Sequence, residues 1–266
     1  MAPSTAPARP WRLLSTDLDG TLIDFEKGVP ANPLFFQRLA EYRKKGEFIW
    51  VLNTGRWWDS LALAMVERGF PFSPDWLILT EREVYKIHDH RPIGDYGWNR
   101  RATAVHAALF ERVAPFWDRL REFVRSETGA ELLADAWSPV AIRARHDREI
   151  ERIAAFIEEE IARWPELAVV RNGPYFRFSH VDFHKGGCLG YLQGILGVTP
   201  EETIAAGDHH NDLPMLETRY AHGLICPGNA IGEVQRKVRA QGGYAAKAFY
   251  GAGVIEGLDA LVGAAK

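Results

Sequence analysis

Ser15-Thr16-Asp17-Leu18-Asp19-Gly20-Thr21-Leu22 is the stretch that decides the fold, and it follows a short apolar run over residues 11–14. The apolar run predicts a buried strand, and Gly20 predicts a turn directly after it. Asp17 and Asp19 therefore lie at the carboxyl end of a strand, where open α/β sheets place their binding sites. Two like charges this close require a cation or a shared proton, and a hard divalent ion such as Mg²⁺ suits their oxygen ligands.

The composition is that of a globular protein with one large domain or two small ones. The chain has 266 residues, of which 47% are hydrophobic and 25% charged, and its formal net charge is −3. No long basic block is present, so nucleic-acid binding through a charged surface is not expected. No apolar run approaches the roughly 18 residues of a membrane span. Residues 1–10, rich in Ala and Pro, predict a disordered lead-in rather than a signal peptide.

The two cysteines, Cys188 and Cys226, form neither a close pair nor a metal-binding spacing. This usage predicts two buried thiols in a reducing compartment, and hence a cytoplasmic protein. The sequence contains no internal repeat and carries no signal for an oligomeric state.

A second strand is predicted over residues 48–52, after a helix that begins at Asn32-Pro33. Strand, helix and strand within about 40 residues predict a parallel crossover. The second strand ends in Asn53-Thr54-Gly55-Arg56. Here Thr54 offers a hydroxyl donor, Gly55 allows close backbone approach, and Arg56 offers a cationic fork. The alternative is that Thr54 caps a helix over residues 57–68, which is compatible with anion binding because helix N-termini attract anions.

The pattern changes after a third buried strand over residues 75–80. Residues 84–88 alternate like a half-exposed strand, and residues 99–128 have helical spacing that Pro115 should interrupt. Asn172-Gly173 is a hairpin signal between two further short strands. We therefore expect a core over residues 1–82, an inserted α/β module over residues 83–183, and a second part of the core over residues 184–266. Three arginines fall in the module and are either substrate contacts or surface charges, namely Arg143, Arg145 and Arg177.

Two later segments complete the candidate site. Lys185 opens a predicted helix, although a lone lysine is usually a solvated charge. A strand over residues 202–206 precedes Gly207-Asp208-His209-His210-Asn211-Asp212. Asp208 at the strand end and Asp212 four residues later can reach one cation. The adjacent His209 and His210 raise a zinc site as an alternative, but their side chains diverge and catalytic zinc ligands are spaced along an element. We treat them as loop residues, with His209 a candidate substrate contact.

These four strings, in this order, resemble the four motifs of the haloacid dehalogenase superfamily of phosphatases, and the resemblance spans almost the whole chain. It implies an α/β fold: a Rossmann-like parallel sheet core with helices on both faces, plus an inserted α/β cap of the sucrose-phosphatase-like branch. It further implies a Mg²⁺-dependent phosphatase that hydrolyses a small phosphorylated metabolite, such as a sugar phosphate, through an aspartyl-phosphate.

The resemblance also implies a role for each motif residue. Asp17 corresponds to the nucleophile and Asp19 to the general acid and base, while Thr54 and Lys185 are catalytic and bind the transferring phosphoryl group. Further substrate-binding positions are Gly55, Arg56 and Asn211. The implied Mg²⁺ ligands are Asp17, the backbone carbonyl of Asp19, Asp208, and Asp212 either directly or through water.

Three other functions fit parts of this pattern. A phosphotransferase or phosphomutase would use the same aspartyl-phosphate, and transfer to a second sugar would distinguish it. A signalling receiver phosphorylated on Asp is about half this length and has no inserted module. A catalytically inactive sensor of a phosphorylated metabolite would not need all the acidic positions, which are filled here.

Overall fold

The computed structural model describes residues 11–24, 26–46 and 48–263. The expected disordered lead-in, residues 1–10, lies outside these described residues. The chain divides into two compact units: the first comprises the chain up to Asp95 and again from Lys185, and the second is Tyr96–His184. Among the helices of the described ranges, none combines the length and the apolar character that a membrane crossing requires.

The elements alternate in the way expected of an α/β protein. The strands are β1 (Leu13–Thr16), β2 (Ile49–Asn53), β3 (Trp76–Leu79), β4 (Glu83–His88), β5 (Arg91–Gly94), β6 (Glu131–Leu133), β7 (Ala141–Arg143), β8 (Leu167–Asn172), β9 (Tyr175–His180), β10 (Thr203–Ala206), β11 (Gly223–Cys226) and β12 (Tyr244–Ala245). The helices are α1 (Pro33–Lys45), α2 (Trp58–Glu67), α3 (Tyr96–Arg112), α4 (Ala114–Glu127), α5 (Asp147–Ile161), α6 (Lys185–Leu196), α7 (Gly232–Ala240) and α8 (Tyr250–Gly263).

The first unit is organised around an eight-stranded sheet in the order β12-β11-β10-β1-β2-β3-β4-β5. Every neighbouring pair from β12 to β3 is parallel. Leu14 and Trp50 face a core cluster that includes residues of α1, α2 and α8. Leu13 and Val51, which alternate with them, are also fully buried. Because successive strand residues point to opposite faces, the parallel sheet is covered on both faces, as predicted.

The first helix forms where the sequence predicts it. The Asn32 side chain accepts a hydrogen bond from the Leu34 N–H at 3.0 Å, and Pro33 occupies the first turn, where its missing N–H costs no helical bond. By contrast, β12 is a two-residue strand that the sequence analysis missed.

The inserted segment begins later in the structure than the sequence analysis placed it. Residues 83–94 were assigned to the module, but β4 pairs antiparallel with β3 and β5 pairs with β4. They therefore extend the large sheet, and the second unit begins at Tyr96 and ends at His184. The sequence correctly predicted β4 as a half-exposed strand, but it did not predict that β3 is its neighbour in the sheet. Alternation of apolar and polar residues shows that one face of a strand is buried, and it does not show which strand lies beside it.

The second unit contains a four-stranded antiparallel sheet in the order β6-β7-β9-β8. β8 and β9 form the predicted hairpin, in which Gly173 has φ +55°. The predicted interruption at Pro115 is confirmed, because α3 ends at Arg112 and α4 begins at Ala114. A separate apolar core joins the helices to this sheet and includes Phe116, Leu120, Ile142, Ile153 and Phe178.

Candidate active site

Three neighbouring strands bring the predicted motif residues to one edge of the large sheet. β1 lies between β10 and β2, and all three are parallel, so their carboxyl ends meet. Asp17 follows β1 and its N–H bonds the Ala206 carbonyl of β10 at 2.9 Å. Thr54 follows β2 and its N–H bonds the Ile78 carbonyl of β3 at 2.8 Å. The chain direction of the sheet therefore places residues that are far apart in sequence at one site.

Three carboxylates and one ammonium group form the centre of this site. Asp17, Asp208 and Asp212 each offer a carboxylate oxygen within 4.8 Å of the others, and all three are buried. Lys185 is fully buried, and its Nζ donates to Asp17 Oδ1 at 2.6 Å and to Asp212 Oδ1 at 2.6 Å. These distances are those of charge-assisted hydrogen bonds. Lys185 is thus a component of the site and not a solvated surface charge.

The position of Lys185 is set by its backbone as well as by its charge. It is the first residue of α6, and its carbonyl accepts a hydrogen bond from Asn53 Nδ2 at 3.1 Å. Burial would lower the pKa of Lys185, but the neighbouring Asp17 and Asp212 carboxylates outweigh it and the pKa is raised. The ammonium form is therefore maintained at neutral pH.

Burial raises the pKa values of two of these carboxylates, Asp17 and Asp208. Burial raises the pKa of Asp17 well above its ordinary value, in spite of the adjacent Lys185. Burial, followed by the nearby Asp212 carboxylate, raises the pKa of Asp208 to about 7, although the Thr21 hydroxyl donates to Asp208 Oδ1 at 2.7 Å and opposes the rise. Three ionised carboxylates against one ammonium leave a net charge of −2. An all-oxygen donor set with this charge fits a hard divalent cation such as Mg²⁺.

Two glycines make room for these carboxylates. Gly20 has φ +86°, and a Cβ added there would lie 2.2 Å from Asp208 Oδ2. A Cβ at Gly207 would lie 2.5 Å from the Cβ of Asp212. Asn229 Nδ2 donates to the Gly20 carbonyl at 2.7 Å and so helps to hold the turn. The glycine of the first motif is therefore required for two reasons: its backbone conformation and the space that it leaves for Asp208.

Asp212 also orders the loop on which it lies. Its Oδ2 accepts hydrogen bonds from the Asp208 N–H at 2.8 Å and the His209 N–H at 2.9 Å. The two histidines lie to one side: their Nδ1 atoms are 3.2 Å apart, and His210 Nε2 is 3.3 Å from a Glu233 carboxylate oxygen. In the described ranges, the group of metal-ligating side chains at this site is acidic and contains neither histidine. This arrangement favours the oxygen-ligand site over the zinc alternative.

The second aspartate of the first motif has a different partner. Arg56 donates from Nε to Asp19 Oδ2 at 2.6 Å and from Nη2 to Asp19 Oδ1 at 2.8 Å. The hydrogen bonds to Asp19 raise the pKa of Arg56. Arg56 Nη1 also donates to Ser60 Oγ at 2.8 Å. The Asp19 side chain is thus paired with Arg56 and is not one of the three grouped carboxylates. The expected contribution of its backbone carbonyl to metal binding stays a prediction.

Thr54 is not a helix cap, so that alternative is wrong. The residue before α2 is Trp57, and α2 has no side-chain cap. The Thr54 hydroxyl oxygen instead accepts a hydrogen bond from the Arg56 N–H at 3.2 Å. The substrate-binding roles expected of Thr54, Gly55 and Arg56 stay predictions.

Several residues at the site had no role in the sequence analysis. Thr21 bonds Asp208, Asn53 bonds the backbone of Lys185, and the buried Glu81 accepts from Asn211 Nδ2 at 2.8 Å. Thr21 and Asn53 lie inside the recognised strings, so their position at strand ends was an available signal. Glu81 lies in a turn outside those strings and had no such signal.

The arginines of the second unit have local surroundings of their own. Arg143 pairs with Glu131 on the neighbouring strand at 2.6 Å. Arg145 lies beyond the end of β7, and its N–H donates to Glu149 Oε2 at 2.8 Å. Arg145 thus lies outside the strand that carries Arg143, and a substrate-binding role for Arg143, Arg145 or Arg177 stays a prediction.

Comparison with known proteins finds similarity to haloacid dehalogenase-like hydrolases and to phosphatases. The family model described as haloacid dehalogenase-like hydrolase matches residues 134–247. A phosphoglycolate phosphatase of Natronomonas pharaonis is 22% identical over 252 residues, which cover 92% of this chain and 96% of that protein.

Two solved structures have the same fold along nearly the whole chain. Sucrose-phosphatase from Synechocystis sp. PCC6803, in complex with sucrose and phosphate, has a TM-score of 0.70 at 19% identity, covering 95% of this chain and 98% of its own. YhjK, a haloacid dehalogenase-like hydrolase protein from Bacillus subtilis, has a TM-score of 0.62 at 18% identity. This match covers 97% of this chain and 94% of YhjK. The chain is thus similar to haloacid dehalogenase-like hydrolases over residues 134–247, and it has the fold of sucrose-phosphatase along nearly its whole length.

Proposed function

We propose that the protein is a Mg²⁺-dependent phosphatase that hydrolyses a small phosphorylated metabolite, a sugar phosphate or a related monoester, through an aspartyl-phosphate on Asp17. The observation that carries this proposal is the bridge made by Lys185 between Asp17 and Asp212 inside a buried cluster of three carboxylates. Such a cluster is costly to bury unless it binds a cation. The phosphatase names of the relatives support the same reaction class.

Charge neutralisation is the first requirement of the reaction, because a phosphate dianion repels an anionic nucleophile. Mg²⁺, when held by Asp17, Asp208 and Asp212, would supply positive charge to the phosphoryl oxygens. Lys185 already bonds Asp17 Oδ1, so its ammonium is placed to neutralise charge beside the nucleophile. The Thr54 hydroxyl, at the end of the adjacent strand, is proposed to bind a further phosphoryl oxygen.

The covalent chemistry is assigned to the two aspartates of the first motif. In the first step an Asp17 carboxylate oxygen bonds phosphorus, the bond from phosphorus to the leaving oxygen breaks, and Asp19 gives that oxygen its proton. In the second step Asp19 takes a proton from water, whose oxygen bonds phosphorus and releases Asp17. The two steps consume one water and return Asp19 to its protonated form.

The substrate proposal rests on the relatives and on their fold. One structural neighbour is a sucrose-phosphatase, and one relative is a phosphoglycolate phosphatase. Both act on small phosphorylated compounds, which is the class proposed here. Phosphotransfer to a second sugar would use the same Asp17 intermediate, and the product of the first turnover distinguishes it from hydrolysis.

The test is phosphate release from a panel of sugar phosphates, phosphoglycolate and phosphoglycerates, with Mg²⁺ and with chelator. Wild type and Asp17→Asn are compared. We expect release that requires Mg²⁺ and disappears in Asp17→Asn, because an amide cannot form the intermediate. Normal turnover by Asp17→Asn would contradict the covalent mechanism. If the wild type binds panel compounds but releases phosphate neither from them nor from an aryl phosphate, the result would favour a catalytically inactive sensor of a phosphorylated metabolite.

A further inference from the structure

Asn53 is a polar residue at the end of an otherwise apolar strand. The residues of β2 before it, over positions 49–52, are all apolar, as expected of a strand with parallel neighbours on both sides. Asn53 is fully buried like them. Asparagine is disfavoured in strands, and burying its amide costs free energy unless its polar atoms are paired. The rules for a buried strand give no reason for an asparagine here, which points to a requirement of its surroundings.

The NH₂ group of Asn53 faces the first residue of α6. Its Nδ2 donates to the Lys185 carbonyl at 3.1 Å, which is an ordinary length for such a bond. The other contacts of Nδ2 are longer, with Ser15 Oγ at 3.4 Å and Met215 Sδ at 3.6 Å. Because a carbonyl can only accept a hydrogen bond, the NH₂ end of the amide must point toward Lys185.

The opposite end of the same amide is unpaired. Asn53 Oδ1 is buried, and no residue within the described ranges donates a hydrogen bond to it. A buried acceptor without a donor lowers stability. An apolar side chain of the same shape would avoid this cost, while the Lys185 carbonyl would keep the hydrogen bond that α6 itself offers to its first residue. The amide of Asn53 therefore adds little to stability, although it lies in the core.

The three contacts of this NH₂ group belong to three different segments of the candidate site. Ser15 lies two residues before Asp17 on β1. Met215 follows the acidic loop, and its N–H bonds the Asp212 carbonyl at 2.9 Å. The third contact is the backbone of α6. Asn53 thus lies between the two carboxylates that the lysine ammonium bridges and the helix that carries this lysine.

The start of α6 is also held from a second side. A Cβ added at Gly186 would lie 2.5 Å from the Pro214 carbonyl oxygen, so helix and loop approach each other closely there. Lys185 Nζ donates at 2.6 Å to both Asp17 and Asp212. A lysine ammonium ends a flexible four-carbon side chain, so it maintains two such short bonds best where its backbone is fixed.

We propose that Asn53 is a positioning residue that fixes the start of α6, so that the Lys185 ammonium keeps Asp17 aligned for attack on phosphorus. This inference rests on the proposed function and deepens it, because it names a residue on which the alignment of the nucleophile depends. A displaced Lys185 would keep its charge, so substrate binding should change little. The geometry of the attack should suffer, since small displacements of reacting groups are costly in rate.

The test compares Asn53→Leu with Gln193→Met, since both replace a buried amide by an apolar side chain of similar size. Gln193 also anchors α6, about two helical turns further along. Its Nε2 donates to Thr203 Oγ1 at 2.8 Å and to the Tyr220 carbonyl at 2.7 Å. Gln193→Met should lower the thermal unfolding midpoint, because it leaves a buried acceptor unpaired, and should keep wild-type kcat below that midpoint.

Asn53→Leu should show the opposite pattern. It is expected to keep the unfolding midpoint, to lose about 10-fold to 10²-fold in kcat on the best substrate of the panel, and to change KM by less than about 3-fold. Asn53→Ala repeats the comparison without the bulk of leucine and should show the same loss in kcat. Wild-type kcat in folded Asn53→Ala would overturn the proposal. So would an equal loss in Gln193→Met, because any weakening of α6 would then be sufficient, and so would a loss that only parallels the folded fraction.

A second readout needs no turnover and separates this inference from the proposed function. The ammonium signal of Lys185, assigned in a ¹⁵N spectrum by its absence in Lys185→Met, should exchange its protons with solvent about 10-fold faster in Asn53→Leu than in wild type. Gln193→Met should leave this exchange unchanged. Unchanged exchange in Asn53→Leu would overturn the positioning role, whether or not the wild type hydrolyses any panel compound. Phosphate release that is lost in Asp17→Asn would support the phosphatase even then.

Discussion

Arg56 donates a hydrogen bond to each carboxylate oxygen of Asp19, from Nε to Oδ2 at 2.6 Å and from Nη2 to Oδ1 at 2.8 Å. The proposed general acid and base is therefore held by a planar fork that a lysine cannot reproduce. Asp19 must release one of these hydrogen bonds before that oxygen can donate a proton to a leaving group. Arg56 thus places Asp19 and also limits when it acts.

Arg56→Lys is expected to lower kcat by about 10-fold to 10²-fold, because a single ammonium cannot fix both oxygens of Asp19. The measurement is steady-state kinetics on the best panel substrate. Arg125→Lys, at an exposed position of α4, is the matched control and should behave as wild type.

The same pair predicts a coupling between two substitutions. Asp19→Asn should lose roughly 10²–10⁴ in rate, the usual contribution of a general acid or base. If Arg56 acts through Asp19, then Arg56→Lys should cost little more in the Asp19→Asn background. An unchanged rate in Arg56→Lys would contradict the positioning role, and an unchanged rate in Asp19→Asn would mean that another group transfers the proton.

Gly20→Ala should lower Mg²⁺ affinity by about 10-fold to 10²-fold, because the added Cβ would displace the Asp208 carboxylate. Isothermal titration with Mg²⁺ measures this directly. Gly28→Ala is a matched control: Gly28 also has positive φ, at +71°, but has no atom within 4 Å of the added Cβ. Both variants should lose about 1 kcal/mol of unfolding free energy from the backbone, and only Gly20→Ala should lose the metal. Equal Mg²⁺ affinities in the two variants would contradict the steric argument.

Lys185→Met should abolish turnover and lower the unfolding free energy by about 3–5 kcal/mol in chelator, because Asp17 and Asp212 would stay buried without their partner. Urea unfolding monitored with chelator and with Mg²⁺ tests this expectation. Added Mg²⁺ should recover part of the loss, since it supplies positive charge to the same carboxylates. Lys44→Met, on the exposed side of α1, should change stability by no more than about 0.5 kcal/mol. Lys185→Met with stability equal to this control would contradict the buried ion pairs.

The metal-free protein should lose stability as the pH rises from about 4 to about 7. The pKa of Asp208 is raised to about 7 in the folded chain, whereas Asp ionises near 3.9 when unfolded. The folded chain thus holds a proton that the unfolded chain has released. This stabilisation is fully present below the unfolded pKa and disappears as the pH rises through the folded pKa. Asp17, whose pKa is also raised, acts in the same direction.

Thermal unfolding in chelator across this pH range, for wild type and Asp208→Asn, isolates the effect. The quantity to compare is the difference in unfolding midpoint between wild type and Asp208→Asn at each pH. The midpoint of the wild type alone is not sufficient, because ion-paired carboxylates such as Glu217, whose pKa is lowered, change stability with pH in the opposite sense. Saturating Mg²⁺ should remove the dependence, since the cation binds the ionised form. A difference that is flat between about pH 4 and pH 7 would contradict the raised pKa of Asp208.

The parallel core and its acidic site could be predicted because each strand signal was local. Short apolar runs that end in polar residues placed Asp17, Thr54 and Asp208 at the ends of predicted strands. Because binding sites of open α/β sheets lie at the carboxyl ends of parallel strands, these residues were expected to lie close together. The pairing of β4 with β3 could not be predicted in the same way, because the choice of partner is non-local. Glu81 was missed for a different reason. Thr80 and Glu81 form their turn with positive φ at both residues, a backbone for which Thr and Glu have low intrinsic preference, so the sequence carries no signal for it.

The pairing of β1 with β10 has a consequence for synthesis of the protein. Leu13 pairs with Thr203, so β1 waits for a partner that leaves the ribosome almost two hundred residues later. Asp17 and Asp212 meet only after that strand has been added. A truncated chain that stops before β10 would therefore expose an unpaired parallel edge and lack a complete acidic cluster. Recovery of Mg²⁺ binding during refolding would accordingly report completion of the central sheet, because long-range parallel pairing of strands is intrinsically slow.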